Sequence, residues 1–265
     1  MKIAHECPLN VLEEVSAMTD YSYCLVHLLD EYPQYLDFFR REKEKGREIV
    51  IDNSVFETGK AYDSVKYLKW IQELQPTYYI IPDALESMRE TLTLARDWYE
   101  NYHSKAVGKA IGVVQGQSYS ELTHCYRALD QDLGVDKIAI SFNYDYYREL
   151  VPHPNEETSW MLGRIALLNK WLREGIINKK KPHHLLGASD PREFKFYNKE
   201  HFSWIDSLDT SSPVVLALTG KMYDNDILGW YKKPRVKLYT LLDDTSFNKE
   251  LLIYNINIFR KYVNR

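Results

Sequence analysis

TYYIIPDALESMRETLTLARDWYENYHSKAVGKAIGVVQG, residues 77–116, is the stretch that decides the fold. Its two ends, TYYIIPD at 77–83 and KAIGVVQG at 109–116, are short apolar runs typical of buried strands. Between them, ALESMRETLTLARDWYENY carries apolar residues at spacings of three and four, which predicts an amphipathic helix. Two apolar strands joined by a helix of this kind predict a parallel βαβ unit.

The same alternation continues in both directions along the chain. The other candidate strands are YCLVHLL (23–29), EIVID (48–52), DKIAISF (136–142), HHLLGA (183–188), SWIDSLD (203–209) and VKLYTLL (236–242). Helical patterns lie between them: SVKYLKWIQEL, SYSELTHCYRAL, EETSWMLGRIALLNKWLREG and the short, weaker SSPVVLALTG. Eight such units predict a (β/α)8 TIM barrel of the α/β class, in one domain over residues 1–265. A doubly wound open sheet is the alternative, because the same pattern serves both folds.

The composition leaves the partner open. A net charge of -4 does not by itself indicate a polyanionic partner, so nucleic-acid binding would depend on local basic clusters. Three clusters exist: REKEKGR from Arg41, NKKKPHH from Asn178 and KKPRVK from Lys232. Any one of them alone is typical of a solvated face.

Cysteine usage and hydropathy predict a cytoplasmic protein. Cys7, Cys24 and Cys125 are scattered and form no CxxC pair, so they offer neither a disulfide framework nor a zinc ligand set. No run approaches the roughly 18 apolar residues of a membrane span, and the N-terminus lacks a signal-peptide pattern. The sequence therefore predicts no metal and no membrane partner.

Polar residues recur where the predicted strands end: Asp52, Asp83, Gln115, Ser141 with Phe142, Gly187 and Asp209. In a barrel these ends converge on the face that carries catalytic residues. A lone aspartate at such a place is more often a helix N-cap, but three aspartates and a glutamine together predict a functional site. Asp206 and Asp209 lie three apart in one strand, which predicts opposite faces for their side chains.

Five segments, in their order and approximate spacing, resemble the guanine transglycosylase family. They are VIDNSVFETG (50–59), YYIIPD (78–83), IGVVQGQSY (111–119), HLLGASDP (184–191) and DSLDTSSP (206–213), and the resemblance covers about residues 48–213. This family exchanges guanine in nucleic acid for a 7-deazaguanine. It includes tRNA-guanine transglycosylases and shorter DNA-modifying relatives from phages and bacterial gene clusters.

The resemblance implies two catalytic carboxylates. Asp209 resembles the family's nucleophile, since an aspartate stands three residues before it and a proline four residues after it, here Asp206 and Pro213. A carboxylate suits the capture of the oxocarbenium-like C1' centre as a covalent sugar-enzyme intermediate. Asp52 resembles the general acid/base that moves a proton between the leaving and the incoming base.

The resemblance also implies a base pocket. Asp83 would accept from N1–H and the N2 amino group of guanine, and the amide of Gln115 would donate to O6. Phe56 resembles the aromatic lid that stacks on the base, with Leu186 on the opposite face. Gly112, Gly116 and Gly187 would let the backbone approach the base. The backbone of Ser141 and Phe142 would contact the 7-substituent.

The chain departs from the family pattern in two ways. It has Ser54, Val55 and Glu57 where the family usually carries small residues and glutamine, which leaves the detailed shape of the pocket open. It also lacks the zinc-binding subdomain of the tRNA enzymes, and the resemblance therefore implies a compact DNA-modifying relative without a cofactor, in the host cytoplasm if it is phage-encoded. Its partners would be DNA, with tRNA as the alternative, guanine and a 7-deazaguanine base, and a second copy of the chain in a homodimer.

Recognition would require the target guanosine to leave its stack, and basic residues near the mouth to hold the phosphates. Arg192, Lys195 and Lys221 follow strands and are the better placed candidates, whereas NKKKPHH and KKPRVK precede strands and would lie on the wrong face. Two other functions remain open: a non-catalytic nucleic-acid-binding relative, and an unrelated barrel hydrolase acting on a nucleoside or sugar.

Overall fold

Eight parallel strands form a nearly closed barrel in the computed structural model, which describes residues 1–223 and 248–264. The strands are β1 Lys2–His5, β2 Ser22–Leu25, β3 Ile49–Asp52, β4 Tyr78–Ile80, β5 Lys109–Val114, β6 Lys137–Ser141, β7 His183–Leu186 and β8 Ile205–Thr210. Their order in the sheet is β1-β8-β7-β6-β5-β4-β3-β2, and every paired neighbour is parallel. The predicted (β/α)8 barrel is confirmed.

The first strand corrects the sequence-based assignment. β1, residues Lys2–His5, was not predicted, and it pairs with β8. Within the predicted strand 23–29, β2 ends at Leu25 and a helix begins at Val26. Because β1 comes first, each of the other strands has a number one higher than predicted. Asp209, predicted on the seventh strand, therefore lies on β8. The predicted strand at 236–242 lies outside the described residues.

Side chains join β1 to β2 where the sheet lacks a ladder. Ile3 N–H donates to Asp20 Oδ2 at 2.8 Å, and His5 N–H donates to Thr19 Oγ1 at 3.1 Å. The Thr19 hydroxyl in turn donates to Ile3 O at 2.9 Å. Because unpaired backbone groups of a buried strand are costly, these contacts allow a strand of four residues to hold its place.

Helices follow the strands around the outside of the barrel. They are α1 Leu12–Ser16, α2 Val26–Glu31, α3 Pro33–Glu44, α4 Val55–Thr58, α5 Ser64–Leu74, α6 Met88–Asn101, α7 Tyr119–Arg127, α8 Asp145–Leu150, α9 Glu156–Arg173, α10 Lys199–Phe202, α11 Ser212–Leu218 and α12 Lys249–Val263. Polar side chains cap several N-termini: Asp63 accepts from Lys66 N–H at α5, and Ser87 accepts from Glu90 N–H at α6. These caps satisfy donors that have no partner within the helix.

A lysine lies inside the barrel. Lys137 on β6 is buried, and its ammonium lies 4.0 Å from the centroid of the Tyr78 ring on β4. It donates to Asp206 Oδ2 at 2.9 Å and to Ser207 Oγ at 3.2 Å, both on β8. Since alternate strands β4, β6 and β8 meet only across the interior, these groups form a layer of the barrel core.

The register between β7 and β8 contains a bulge at Asp206. His183 pairs with Ile205 and His184 pairs with Ser207, so Asp206 is the extra residue. The bulge lets both Asp206 and Ser207 contact the lysine, whereas a regular strand would alternate them. The carboxylate of Asp206, whose side chain is 37% exposed, therefore pairs with a buried lysine below the barrel mouth.

Candidate active site

The predicted site residues lie along one rim of the barrel. Asp52 ends β3, Gln115 follows β5, Ser141 ends β6, Gly187 follows β7, and Asp209 is the penultimate residue of β8. Asp83 stands three residues beyond β4. The carboxyl ends of parallel strands in a barrel open on one face, so these residues share one mouth.

Asp209 is held by the neighbouring strand. Its side chain accepts from Gly187 N–H at 3.1 Å on Oδ1 and 3.2 Å on Oδ2. Gly187 has φ +62°, a backbone conformation that suits glycine and that turns its N–H toward the carboxylate. Oδ1 also lies 2.9 Å from Nε2 of His184.

Burial controls the charge of Asp209. The residue is 4% exposed, and burial raises the pKa of its carboxyl to about 6. A hydrogen bond with Glu6 and the Gly187 amide lower that pKa, while the charge of Asp52 raises it further. The carboxyl is therefore poised to gain or lose a proton near neutral pH.

Asp52 has a similar environment. Tyr23 Oη donates to its Oδ2 at 2.5 Å, and Ser54 N–H donates to its Oδ1 at 2.5 Å. Burial raises the pKa of Asp52 to about 6, against the lowering effect of these two hydrogen bonds. A carboxyl with this pKa can act as acid and base at neutral pH.

Tyr23 connects the two aspartates. Its ring is nearly parallel to the imidazole of His184, with 6.2 Å between centroids and 12° between planes. The tyrosine hydroxyl therefore reaches Asp52 while its ring lies beside the histidine that contacts Asp209. Sequence reasoning missed both Tyr23 and His184.

Asp83 and Gln115 form one hydrogen-bonded unit. Gln115 Nε2 donates to Asp83 Oδ2 at 2.7 Å, and Asn53 Nδ2 donates to Oδ1 at 2.7 Å. Gln115 Oε1 accepts from Glu86 N–H at 2.9 Å, which fixes the orientation of the amide. Burial raises the pKa of Asp83 to about 6. The structure thus brings together the two residues predicted to read the base edge.

Two further carboxyl groups join the mouth, and neither was predicted as a site residue. Glu6 follows β1 and hydrogen-bonds to Asp209. Glu57 lies on α4, and its Oε2 is buried without a hydrogen-bond partner. Burial raises the pKa of Glu57 well above its usual range, and the charges of Asp52, Glu6 and Asp209 add to the effect. Recognising β1 would have placed Glu6 at a strand end with the others.

The turn between β3 and α4 sets the positions of Phe56 and Glu57. Ser54 adopts φ +60° although it is buried, a strained conformation for a residue with a Cβ. Val55 N–H donates to Asn53 Oδ1 at 2.9 Å and holds the turn. Phe56 on α4 is 66% exposed, while its predicted partner Leu186 is half-buried at the end of β7.

Arg164 organises the ends of β6 and β7. Its buried guanidinium pairs with Glu193 and donates to Leu186 O at 3.0 Å and Gly187 O at 2.9 Å. It also lies 5.0 Å from the centroid of Phe142. An arginine in the apolar pattern MLGRIALL of α9 was a signal that the sequence analysis overlooked.

Contacts within the protein account for three of the residues predicted to line the base pocket: Ser141, Gly112 and Gly116. Ser141 N–H donates to Tyr144 Oη at 3.1 Å. A Cβ on Gly116 would lie 2.8 Å from Glu121 Cβ of α7, so helix packing explains this glycine. Gly112 likewise faces Leu129 and Val135, where a Cβ would lie 2.8 Å from Leu129 Cδ2.

The predicted phosphate-binding residues differ in their contacts. Arg192 forms a salt bridge with Asp190, and Lys195 lies over the ring of Tyr262 at 5.0 Å from its centroid. Lys221 follows α11, and its carbonyl accepts from Asn255 Nδ2 at 2.9 Å. The KKPRVK cluster from Lys232 lies outside the described residues.

Within residues 1–223 and 248–264, no group of three or more His, Cys, Asp or Glu side chains is placed to hold a metal ion. None of the helices in these residues is long and apolar enough to cross a membrane. Neither a family model nor a curated protein matches this chain. The resemblance to guanine transglycosylases depends on the five segments quoted above and stays a prediction.

Proposed function

We propose that the chain is a nucleic-acid guanine transglycosylase that exchanges guanine in DNA for a 7-deazaguanine base. The observation that carries the proposal is the pair of carboxyl groups on one rim, the buried Asp209 and the half-buried Asp52, with the charge of Asp52 raising the pKa of Asp209. Two such groups tend to share one proton, so that one is ionised and the other is an acid. Base exchange needs both forms.

In the first half of the reaction, a carboxylate oxygen of Asp209 attacks C1' of the flipped nucleotide. The bond between C1' and N9 breaks, and its electron pair goes to the guanine. Asp52, in its protonated form, supplies the proton that the departing base takes up. A covalent ester between Asp209 and the sugar remains.

In the second half, the incoming base gives its N9 proton to Asp52. N9 attacks C1', and the electron pair of the ester bond returns to Asp209. Protons and charges balance over the two steps, and neither a metal nor a redox cofactor enters. Water in place of the incoming base would give hydrolysis instead.

The unit of Asp83 and Gln115 supports recognition of a guanine edge. Asp83 offers acceptors to N1–H and to the exocyclic amino group, and the Gln115 amide offers a donor to O6. Phe56, with its exposed ring on the short helix after β3, would stack on the base. Arg192, Lys195 and Lys221 would meet the phosphate backbone, which predicts salt-dependent binding.

Labelled guanine tests this proposal directly. The protein is incubated with radiolabelled guanine and, in separate reactions, with guanine-containing DNA or with tRNA. We expect label in the DNA. Label in tRNA would show that tRNA, and not DNA, is the acceptor. Net release of free base without incorporation would indicate a hydrolase. DNA binding without exchange would indicate a non-catalytic relative.

A further inference from the structure

One buried guanidinium lies behind the segment that holds Asp209. Arg164 of α9 is fully buried, and each of the five N–H groups that an arginine offers has an acceptor. Nε and Nη2 donate to the two carboxylate oxygens of Glu193, each at 2.8 Å. The other N–H groups donate to main-chain carbonyl oxygens: Ile140 O at 3.3 Å, Leu186 O at 3.0 Å and Gly187 O at 2.9 Å.

The peptide group between Leu186 and Gly187 connects this arginine to Asp209. Its carbonyl oxygen accepts from Arg164 at 3.0 Å, and its N–H donates to Asp209, at 3.1 Å to Oδ1 and 3.2 Å to Oδ2. The carbonyl and the N–H of a trans peptide point in opposite directions, so one planar group spans from the guanidinium to the carboxylate. An amide whose carbonyl accepts from a cation is polarised, which makes its N–H the better donor.

The conformation of Gly187 needs support from outside the residue. Glycine has the widest choice of backbone angles, and a Cβ at Gly187 would meet a single neighbour, Phe142 Cβ at 3.5 Å, so close packing does not fix its φ of +62°. Arg164 holds the carbonyl oxygen before Gly187 and the carbonyl oxygen after it. Because the guanidinium is a rigid fork, these two hydrogen bonds fix the turn and with it the direction of the Gly187 N–H.

We propose that Arg164 is a positioning residue for the nucleophile: it holds the Leu186–Gly187 peptide so that the Gly187 N–H points at the carboxylate of Asp209. The inference rests on the proposed function for the role of Asp209. In that reaction Asp209 attacks in its ionised form, which an N–H donor favours over the neutral carboxyl. The same guanidinium fixes the backbone of Leu186, the residue predicted to lie against the base on the face opposite Phe56.

The titratable side chains around Asp209 come from several elements: Glu6 after β1, Tyr21 before β2, Tyr23 on β2, Asp52 on β3, Glu57 on α4 and His184 on β7. Burial raises the pKa of Asp209, the hydrogen bonds from Glu6 and the Gly187 amide lower it, and the charge of Asp52 raises it. The positive charge of Arg164 lowers the same pKa. Loss of the amide contact should therefore raise the pKa of Asp209.

Amide NMR on the full chain tests the proposal without any activity. Labelling with ¹³C-carbonyl leucine and ¹⁵N-glycine selects the Leu–Gly peptides, whose glycines are Gly134, Gly163, Gly187 and Gly229. The Gly187 signal is the one whose pH titration disappears in Asp209→Asn. In the wild type we expect its shifts to follow the ionisation of Asp209, with a midpoint near the pKa of about 6. The proposal is overturned if none of the selected amides titrates with Asp209.

Arg164→Lys separates the shape of the side chain from its charge. Lysine keeps the positive charge but cannot hold Glu193 and the carbonyl oxygens together. We expect the pH-dependent change in the Gly187 shifts to fall by about half or more, and its midpoint to rise by about one pH unit. If this variant does not fold, Glu193→Asp serves instead, because it keeps both charges and moves the guanidinium by shortening its anchor by one methylene. Its midpoint should rise by a smaller amount.

Leu74→Ala is the control for a loss of stability alone. Leu74 is buried on α5, and its truncation leaves a cavity, so the unfolding midpoint should fall while the Gly187 titration stays that of the wild type. A Gly187 titration that is unchanged in Arg164→Lys or, where that variant does not fold, in Glu193→Asp would overturn the proposal. An equal change in Leu74→Ala would overturn it as well.

Guanine exchange gives the second readout. Because Asp209 attacks in its ionised form, the acid limb of the pH profile should move to higher pH in Arg164→Lys, by as much as the Gly187 midpoint moves, and should stay in place in Leu74→Ala. An acid limb that does not move in Arg164→Lys would contradict the positioning role. Failure of the proposed function would look different: the wild type would not exchange guanine, while the Gly187 titration would still decide whether Arg164 holds the peptide on Asp209.

Discussion

The hydroxyl of Tyr23 donates to Oδ2 of Asp52 at 2.5 Å. The same tyrosine ring lies nearly parallel to His184, so one side chain from β2 holds the acid/base candidate and borders the partner of Asp209. Tyr23 is buried, and the pKa of its own hydroxyl is raised by burial and by Asp52. It therefore remains a hydrogen-bond donor throughout the neutral range.

Tyr23→Phe should move the basic limb of guanine exchange to higher pH. The tyrosine hydrogen bond lowers the pKa of Asp52, so its removal raises that pKa. A larger fraction of Asp52 then carries its proton at pH 7, and we expect the rate at pH 7 relative to the rate at pH 5 to rise severalfold, up to about tenfold. Tyr79→Phe is the control, since its hydroxyl contacts His103. A basic limb that does not move would contradict the role of Asp52.

Asp83→Asn should weaken base binding more than it slows chemistry. The new amide group would face a donor from Asn53 or Gln115, so one buried hydrogen bond is replaced by a clash of donors. We expect KM for guanine to rise about tenfold, with a stability cost of about 1–3 kcal/mol. Asp136→Asn, at the opposite end of the barrel, is the control. An unchanged KM would remove Asp83 from the base pocket.

Arg164→Lys should destabilise the protein strongly. Lysine cannot reproduce the two-pronged contact with Glu193 together with the donors to the carbonyls of β6 and β7. Breaking a buried ion pair costs about 3–5 kcal/mol, whereas Arg40→Lys in an exposed pair with Glu73 should cost under about 1 kcal/mol. Chemical denaturation of both variants measures the difference. Equal losses would contradict this account.

Asp209→Asn should stabilise the protein at pH 7.5. The folded-state pKa of Asp209 is raised to about 6, so the wild type loses stability as the pH rises from about 4 to about 6 and does not regain it above. The side-chain amide of the variant does not ionise and so has no such loss of stability. We expect its free energy of unfolding to be higher than that of the wild type by about 1–3 kcal/mol, and Tm to rise by roughly 2–4 °C for each kcal/mol. The gain should shrink toward pH 4. A less stable variant at pH 7.5 would contradict the placement of Asp209 in a buried, charge-crowded site.

The fold was predictable from the sequence because its signal is repeated along the chain. Each apolar run with its helix is a local pattern, and the helix SVKYLKWIQEL coincides with α5, Ser64–Leu74. β1 was not predicted because KIAH, residues 2–5, is too short to show a hydrophobic period. Its backbone N–H groups also find acceptors in the side chains of Thr19 and Asp20, which no sequence pattern indicates. The eighth strand was predicted at 236–242, which lies outside the described residues.

The site was only partly predictable for the same reason. The end of a strand can be recognised from a short segment of sequence, and Asp52, Asp83 and Asp209 were predicted on one rim for that reason. Tyr23 and His184 are mid-strand residues, and their contacts depend on the register between strands and on the bulge at Asp206. Such register is a property of the closed barrel, and no short segment of sequence contains it.

The central claim is that Asp209 forms a bond to the anomeric carbon of a nucleotide, and trapping that bond tests it most directly. The protein is mixed with a guanine-containing DNA strand, denatured within the first turnovers and digested, and the peptides are analysed by mass spectrometry. We predict a peptide containing Asp209 that carries the DNA strand without the excised guanine, and no such species from Asp209→Asn. A strand attached to a different residue, or guanine exchange that Asp209→Asn sustains at the wild-type rate, would contradict the account.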